Sequence, residues 1–255
     1  MSLHITKESE RFINHNIGDV AECKVDLRSG GLYIILPLLE TVGLSPISPS
    51  IICNPIHSST SELFGSGSRL NYYQKIGHFD SEYPYWVETA DYSFTLFNYN
   101  SEGNAVYNSA DKVTISKVYD DAYQLTWHYE MEDKYGNYLE YGSNSVKYPR
   151  LIKYKTGERY SLDFVSTTKS ISNNKGDVVK FSGSPYIETV QYYHNGVLAL
   201  QTSITYDNFH TISSITQKDS AGNILKKVEL SISSNQIIVK DSISGYRMCY
   251  VISNS

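Results

Sequence analysis

Nine consecutive residues, from Tyr123 to Met131, alternate between large apolar and polar side chains. Successive side chains of a β-strand point to opposite sides, whereas a helix would scatter the same residues around its axis. The pattern therefore predicts a strand with one apolar face. That face comprises Tyr123, Leu125, Trp127, Tyr129 and Met131. We expect the other face to carry His128 and Glu130 in solvent.

Short sequences rich in Gly and Asn interrupt the alternating segments about every 8–12 residues, which is typical of all-β proteins. They lie at residues 101–104, 135–137, 174–177, 194–196 and 221–223. Gly and Asn accept the positive φ angles that tight hairpins require. We therefore predict an all-β fold, an antiparallel meander of consecutive β-hairpins that forms a large twisted sheet, an open sandwich or a partial shell.

Two further stretches support this fold. Alternating apolar residues on both sides of residues 155–158 predict a hairpin with Gly157 in its turn, and Val228, Leu230 and Ile232 alternate with polar neighbours. No stretch keeps a helical period over three turns. Any helix should be confined to short pieces near the N-terminus or within residues 43–68.

The amino-acid composition agrees with a strand-rich chain and limits its partners. Tyrosine accounts for 23 of the 255 residues, and Tyr favours strands and half-exposed surfaces. The chain has 22 basic and 27 acidic residues, a formal net charge of −5, without a basic block. These features argue against a nucleic-acid partner and against an anionic membrane surface.

The length fits one large β domain or two ordinary ones. We predict an extended N-terminal lead-in over residues 1–30 and a single β domain over residues 31–255. Pro, Gly and Ser are concentrated in residues 43–68. We interpret that segment as a long irregular connection within the domain, because such residues favour turns and loops.

The cysteines and the N-terminus bear on the compartment. Cys23, Cys53 and Cys249 are scattered, without the paired spacing of a metal site, so we predict three free thiols and folding in a reducing cytosol. The first residues lack the basic and apolar regions of a Sec signal. No apolar run approaches the length of a membrane span. The final location stays open, with export by a signal-independent secretion system as one alternative.

Two segments of the chain resemble each other. Each reads Tyr-Asp, then an alternating stretch, then Asp-x-x-Gly-Asn. The shared residues are Tyr119, Asp120, Gly136 and Asn137 in the first segment, and Tyr206, Asp207, Gly222 and Asn223 in the second. We expect each tyrosine to pack on the sheet at a strand end, and each Gly-Asn pair to reverse the chain.

This pattern resembles the YD repeat of RHS proteins, the group that includes teneurins and Tc toxins. Three upstream or intervening elements resemble others in the same proteins, namely residues 25–38, 63–71 and 151–160. They occur in the family's order. The chain departs from the family pattern at Ser68, where a Trp is usual, and in lacking the Gly-Arg-Leu that usually follows Tyr-Asp.

The resemblance implies a structural role. In the family, hairpins wind into a shell that encloses a toxic C-terminal segment, in bacterial proteins that include secreted toxins. It would make this chain a scaffold whose partners are another protein or further repeats of the same parent chain. A short array of hairpins would also present a sheet edge that has to be protected or paired.

The residues that could support catalysis do not form a coherent set. His128 and Glu130 could act as acid and base or bind a metal, but no third ligand can be placed by spacing. A local group of carboxylates is more simply explained as turn residues, and comprises Asp120, Asp121, Glu132 and Asp133. We therefore predict no enzyme activity, no metal and no cofactor, and rank a hydrolase third among the functions.

A cluster of aromatic residues supports an alternative function. The cluster comprises Tyr72, Tyr73, Tyr83, Tyr85 and Trp86. Exposed rings on a β-sandwich can stack on sugars, although rings in strands more often pack against neighbouring strands. The leading hypothesis is thus a non-catalytic scaffold with a shell or partner-contact role, and the alternative is a carbohydrate-binding β-sandwich module.

Overall fold

The computed structural model describes residues 12–26, 31–39, 47–55, 61–78, 84–107, 112–142, 147–233 and 236–251. In these ranges the chain forms β-strands and turns without a helix. Most strands pair antiparallel with the next strand along the chain. The predicted all-β fold, a meander of antiparallel hairpins, is confirmed.

The chain divides into two compact units. Of the described residues, unit I contains 72–176, and unit II contains 12–71 together with 177–251. The N-terminal part of the chain therefore belongs with its C-terminal part. The predicted division into a lead-in and a single domain stays a prediction.

Unit II begins with a five-stranded antiparallel sheet. Its strands are β1 (Phe12–Ile17), β2 (Ala21–Asp26), β3 (Leu32–Pro37), β4 (Ser50–Cys53) and β7 (Ser68–Leu70), with a short hairpin of β5 (Ser61–Glu62) and β6 (Gly65–Ser66) before β7. The segment predicted as a lead-in thus contains a hairpin, and the predicted irregular connection contains short strands. Ser68, at the position where the RHS family has Trp, is buried, and its hydroxyl lies 3.3 Å from Cys53 Sγ.

Unit I is a meander of ten strands, each antiparallel to its neighbours in sequence. They are β8 (Gln74–His78), β9 (Tyr85–Thr89), β10 (Phe94–Tyr99), β11 (Ala105–Val106), β12 (Thr114–Tyr119), β13 (Trp127–Glu132), β14 (Tyr138–Gly142), β15 (Leu151–Lys153), β16 (Arg159–Asp163) and β17 (Lys169–Asn173). The predicted hairpin around Gly157 joins β15 to β16. In the core, the buried Tyr141 hydroxyl donates a 2.8 Å hydrogen bond to Gln74 Oε1.

The strand predicted from Tyr123 begins only at Trp127, so its first four residues were assigned wrongly. Tyr123 is 85% exposed and Leu125 is 80% exposed. The carboxylate of Asp121 accepts hydrogen bonds from the backbone N–H groups of both, which turns this segment into a loop. Alternation alone cannot distinguish such a loop from a strand, because it does not register a local acceptor that competes for the backbone.

The second sheet of unit II completes the fold. Its strands are β18 (Asp177–Ser182), β19 (Thr189–His194), β20 (Val197–Tyr206), β21 (Ile212–Asp219), β22 (Ile224–Ile232), β23 (Gln236–Asp241) and β24 (Arg247–Val251). One face of this sheet packs against the first part of unit II. Thr202 donates its hydroxyl hydrogen to the Leu38 carbonyl, and the rings of Phe181 and Phe64 meet edge to face at 6.3 Å.

The three cysteines are free, as predicted. Cys23 and Cys53 are buried and Cys249 is exposed. Burial raises the pKa of the Cys53 thiol to about 12, so this group stays protonated and unreactive. The described ranges contain no helix with the length and apolarity that a membrane span requires.

Candidate functional site

The two Tyr-Asp segments occupy equivalent places in their hairpins. Tyr119 is the last residue of β12 and pairs with Trp127, the first residue of β13. Tyr206 is the last residue of β20 and pairs with Ile212, the first residue of β21. Each tyrosine therefore ends a strand and lies on the same face as the residue that starts the next one.

The loops that follow these tyrosines differ in length. In the second segment, the N–H of Asp207 donates to the Thr211 carbonyl across five residues, and the side chain of Asp207 accepts from the N–H groups of Phe209 and Thr211. In the first segment, the N–H of Asp120 donates to the Thr126 carbonyl across seven residues. There the capping acceptor is the neighbouring residue Asp121, which the sequence indicated only as one of several turn acids.

The Asp-x-x-Gly-Asn sequences form the same turn in both segments. Asp133 accepts from the N–H of Asn137 at 3.0 Å, and Asp219 accepts from the N–H of Asn223 at 2.8 Å. In each turn the Asn side-chain amide also donates a hydrogen bond of 2.8 Å to the second carboxylate oxygen of the Asp. Gly136 and Gly222 have φ angles of 81° and 91°, which L-residues with a Cβ rarely adopt.

This five-residue turn recurs throughout the described chain. Its first N–H donates to the fifth carbonyl, and its fourth N–H donates to the first carbonyl. The fourth residue always has positive φ, as in a type I turn followed by a bulge. The turn occupies residues 89–93, 100–104, 133–137, 154–158, 207–211 and 219–223.

Hydrogen bonds to these aspartates favour the charged carboxylate. The hydrogen bonds from Thr126 and nearby backbone groups lower the pKa of Asp121 to about 2, and those from Asn223 lower the pKa of Asp219. At Asp207, burial acts to raise the pKa, but the hydrogen bonds from Thr211 outweigh it and lower the pKa. These three aspartates therefore keep their negative charge at neutral pH.

His128 is buried, contrary to the expectation that it is solvated. It lies on the polar face of β13, as the alternation predicts, but it is only 8% exposed. Its Nδ1 is 2.6 Å from Asp120 Oδ1, and its Nε2 is 3.1 Å from Glu130 Oε1. The seven-residue loop brings the Asp120 carboxylate next to the imidazole, and sequence spacing did not predict this contact.

The two carboxylates determine the protonation state of His128. Burial alone would lower the pKa of the imidazole, but the hydrogen bonds to Glu130 and Asp120 outweigh it and raise the pKa. Both ring nitrogens face acceptors, so both carry hydrogen in the imidazolium form. In that form neither ring nitrogen has a lone pair free for a proton or a metal ion.

The network continues onto β14. The Tyr138 hydroxyl donates 2.7 Å to Glu130 Oε1 and lies 3.1 Å from Glu140 Oε2. Glu140 pairs in turn with the guanidinium of Arg150. Burial and the hydrogen bond to Glu130 raise the pKa of the Tyr138 phenol. The whole chain of contacts joins the loop after β12 to two neighbouring strands and braces this part of unit I.

Only part of the predicted aromatic binding surface is accessible to solvent. Tyr72 and Tyr73 are buried at 6% and 1% exposure, and Tyr83 lies outside the described residues. Tyr85 and Trp86 are half-buried on opposite faces of β9. Trp86 lies flat over Gly77, its partner on β8, where a Cβ would come within 1.9 Å of the indole.

Tyr85 belongs to a second aromatic group that the sequence did not indicate. Its ring lies 5.5 Å from that of Tyr129, which lies 5.0 Å from Trp127. Lys117 places its ammonium 4.6 Å from the Trp127 ring and 5.1 Å from the Tyr119 ring. We call Tyr85, Tyr119, Trp127 and Tyr129 the aromatic cluster. Within it, Tyr129 is buried and Tyr119 forms an exposed rim.

Comparisons with known proteins assign no family. No protein-family model matches the chain, and no curated protein matches its sequence. Among the described residues, no group of three or more His, Cys, Asp or Glu side chains is arranged to hold a metal ion. Function therefore has to be argued from the turns, the His128 network and the aromatic cluster.

Proposed function

We propose that this protein is a non-catalytic β-sheet scaffold of the RHS/YD kind, whose hairpins contribute to a shell around another polypeptide or to a surface that contacts it. The observation that carries the proposal is the pair of Tyr-Asp segments. In each, a tyrosine ends a strand, a capped loop follows, and the next strand ends in the same Asp-x-x-Gly-Asn turn.

The turn geometry supports a modular scaffold. Each five-residue turn is closed by two hydrogen bonds between its own backbone groups. A hairpin built in this way can be added beside another with its pairing register preserved. Such units extend a sheet without requiring a new core for each addition, which suits a wall or a contact surface.

The His128 network supports the absence of catalysis. It is the group of ionisable residues in unit I that most resembles an acid–base site, yet both imidazole nitrogens are occupied by carboxylates. A catalytic base needs a free lone pair near a substrate. The network is better suited to hold the loop after Tyr119 in place.

The test is co-expression of the full chain with the polypeptide encoded directly downstream of it. The scaffold proposal expects the two to co-elute in size-exclusion chromatography, and expects the partner to resist trypsin in the complex but not alone. His128→Gln should preserve this association. Separate elution together with an undiminished rate of partner digestion would contradict the proposal, as would a hydrolytic activity that His128→Gln abolishes.

A carbohydrate-binding module is the second candidate, favoured by the aromatic cluster. Tyr85 and Trp127 are half-buried rings that share the buried Tyr129 between them. A partly exposed ring can stack on the apolar face of a sugar, while phenol groups bond its hydroxyls. Titration with neutral oligosaccharides, followed by Trp fluorescence, should give a saturable change that Tyr85→Ala removes and Tyr123→Ala retains. A flat titration would exclude this function.

A further inference from the structure

The second sheet of unit II has one buried face and one polar face. Val179, Val190, Ile215 and Val239 lie within 0–3% exposure and point to the core. Apart from three bulges, the side chains between them point to the opposite face, which is mostly polar but also carries Val178, Ile238 and Val251. Register places these side chains in rows that cross the sheet, and we call this surface the polar face.

Hydroxyl and amide groups form two of these rows. One row runs Ser182, Thr189, Ser203 and Thr216 in successive registered pairs. The adjacent row contains Gln191 and Gln201, joined by a 3.1 Å side-chain hydrogen bond. Strands in a sheet are about 4.8 Å apart, so the rows present hydrogen-bonding groups at a regular spacing.

Positive charge surrounds these rows. Register places five cationic side chains on the polar face, namely Lys180, Lys218, Lys227, Lys240 and Arg247. Among the described residues of the seven strands, Glu229 is the one carboxylate on this face, and it bridges Lys227 at 2.8 Å and Lys240 at 3.4 Å. The face is therefore cationic although the whole chain has a formal net charge of −5.

We propose that the polar face binds an anionic polysaccharide, with the lysines and Arg247 meeting its carboxylate or sulfate groups and the hydroxyl and amide rows meeting its sugar hydroxyls. This inference goes beyond the proposed scaffold function and does not depend on it. It does not use the aromatic cluster, and it uses Thr216 and Lys218 of the second Tyr-Asp segment only for their place on the polar face.

The composition of the face distinguishes this ligand from other polyanions. A protein partner would require an apolar or aromatic centre, and interface cores are depleted in lysine. Single-stranded nucleic acid is bound by stacking bases on aromatic side chains. Among the described residues of the seven strands, Tyr193 is the one aromatic side chain that register places on this face. Its hydroxyl donates to Gln191 at 3.1 Å, and the Lys180 ammonium lies 4.9 Å from its ring, so that ring is not open for a base to stack on. Sugar hydroxyls match the Ser, Thr and Gln rows directly.

The experiment measures binding of the full chain to polygalacturonate by isothermal titration calorimetry, at low and at moderate salt. The expected result is saturable binding that weakens as salt rises, because Lys–anion contacts release counterions. The triple variant Lys218→Gln/Lys227→Gln/Lys240→Gln should bind at least about tenfold more weakly. The matched control, Lys134→Gln/Lys153→Gln/Lys155→Gln in unit I, lowers the net charge by the same amount, leaves the aromatic cluster intact and should bind as the wild type does.

Other polymers test whether the face selects a charged sugar chain. Neutral dextran should not bind, and poly-L-glutamate and a single-stranded oligonucleotide should bind at least about tenfold more weakly than polygalacturonate. Equal binding of the polypeptide or the oligonucleotide would overturn the choice of ligand. If the two triple variants lose affinity for polygalacturonate equally, the polar face is not the binding site. If the first variant fails to fold, Lys180→Gln/Arg247→Gln, at the margins of the face, serves in its place and should also weaken binding.

Discussion

The two Tyr-Asp segments share their strand ends and their second turn, and they differ in what lies around the tyrosine. Tyr206 donates its hydroxyl hydrogen to the Ile187 carbonyl at 2.6 Å, and its ring lies 5.3 Å from that of Tyr186. Tyr119 is 44% exposed and is approached by Lys117. The same hairpin position is thus a packed anchor in unit II and an exposed rim in unit I.

The difference shows that the same type of hairpin can make different side-chain contacts at its two places in the chain. In unit II, Gly65 lies against the Tyr206 ring and the His210 carbonyl, where a Cβ would come within 2.2 Å of that oxygen. In unit I the longer loop instead carries Asp120 to His128. The strand ends and the second turn are the same in both segments, while the loop length and the side-chain contacts differ.

The largest expected difference concerns the two tyrosines. Tyr206→Ala should lower the free energy of unfolding by about 3 kcal/mol, because it removes a large packed ring and its hydrogen bond. Tyr119→Ala should cost less than about 1 kcal/mol, since that ring is already in contact with water. Urea unfolding followed by circular dichroism gives both values. Equal costs would show that the tyrosines are energetically equivalent despite their different contacts.

The next effect belongs to the first segment alone. His128→Gln should lower the free energy of unfolding by about 2 kcal/mol, because it removes a buried imidazole that is hydrogen-bonded to the carboxylates of Asp120 and Glu130. The pKa of His128 is raised in the folded state. Its contribution is therefore complete below the unfolded pKa of about 6.5 and is lost as pH rises through the folded pKa.

Urea unfolding between about pH 6 and pH 9 measures this contribution. The difference between wild type and His128→Gln should shrink as pH rises. The substitution Ser213→Ala in the second segment is the control, because it removes a polar side chain that also follows a Tyr-Asp loop without removing a cation. A difference that stays constant with pH would mean that His128 acts through packing rather than charge.

A smaller effect separates the aspartates of the two Tyr-Asp pairs. Asp207→Ala should cost about 1–2 kcal/mol, because it removes an acceptor for the N–H groups of Phe209 and Thr211. Asp120→Ala should leave its loop closed, since Asp121 is the acceptor there. Because the pKa of Asp207 is lowered in the folded state, its contribution is present above the unfolded pKa of about 4 and is lost as pH falls through the folded pKa. Urea unfolding of the wild type and of Asp207→Asn at decreasing acidic pH measures this loss, because the difference in their free energies of unfolding should shrink.

The smallest effects should come from the loop tips. Tyr123 and Phe209 are 85% and 81% exposed and follow Asp121 and Asp207 by two residues. Tyr123→Ser and Phe209→Ser should each change the free energy of unfolding by less than about 0.5 kcal/mol. A loss above about 1 kcal/mol at either tip, measured by urea unfolding, would reveal packing that the exposed surface does not indicate.

Local signals predicted the parts of the fold that are local. The alternation of Val228, Leu230 and Ile232 predicted β22, because a strand's side-chain period depends only on its own backbone. Gly136 and Gly222 predicted their turns, because few other residues tolerate the required φ angles. The same reasoning failed at Tyr123 and Leu125, where Asp121 draws the backbone into a loop.

The candidate sites depend on contacts between distant residues. His128 and Asp120 are eight positions apart, and only the folded loop brings the carboxylate to the buried imidazole. Tyr85 and Tyr129 come from different hairpins, so the aromatic cluster has no signature in spacing. The polar face likewise arises from registered pairs across seven strands. No motif search along the chain could have assembled it.

The sequence by itself thus determined that this chain is all-β, where many of its hairpins reverse, and that its thiols are not paired. The fold class and the reversals follow from backbone preferences and side-chain periodicity, which act over a few residues, and the unpaired thiols follow from the odd number and scattered positions of the cysteines. Tertiary structure alone decided which tyrosine is packed, which histidine is buried between carboxylates and which strand faces remain polar. Those outcomes depend on burial, and burial depends on which strands become neighbours.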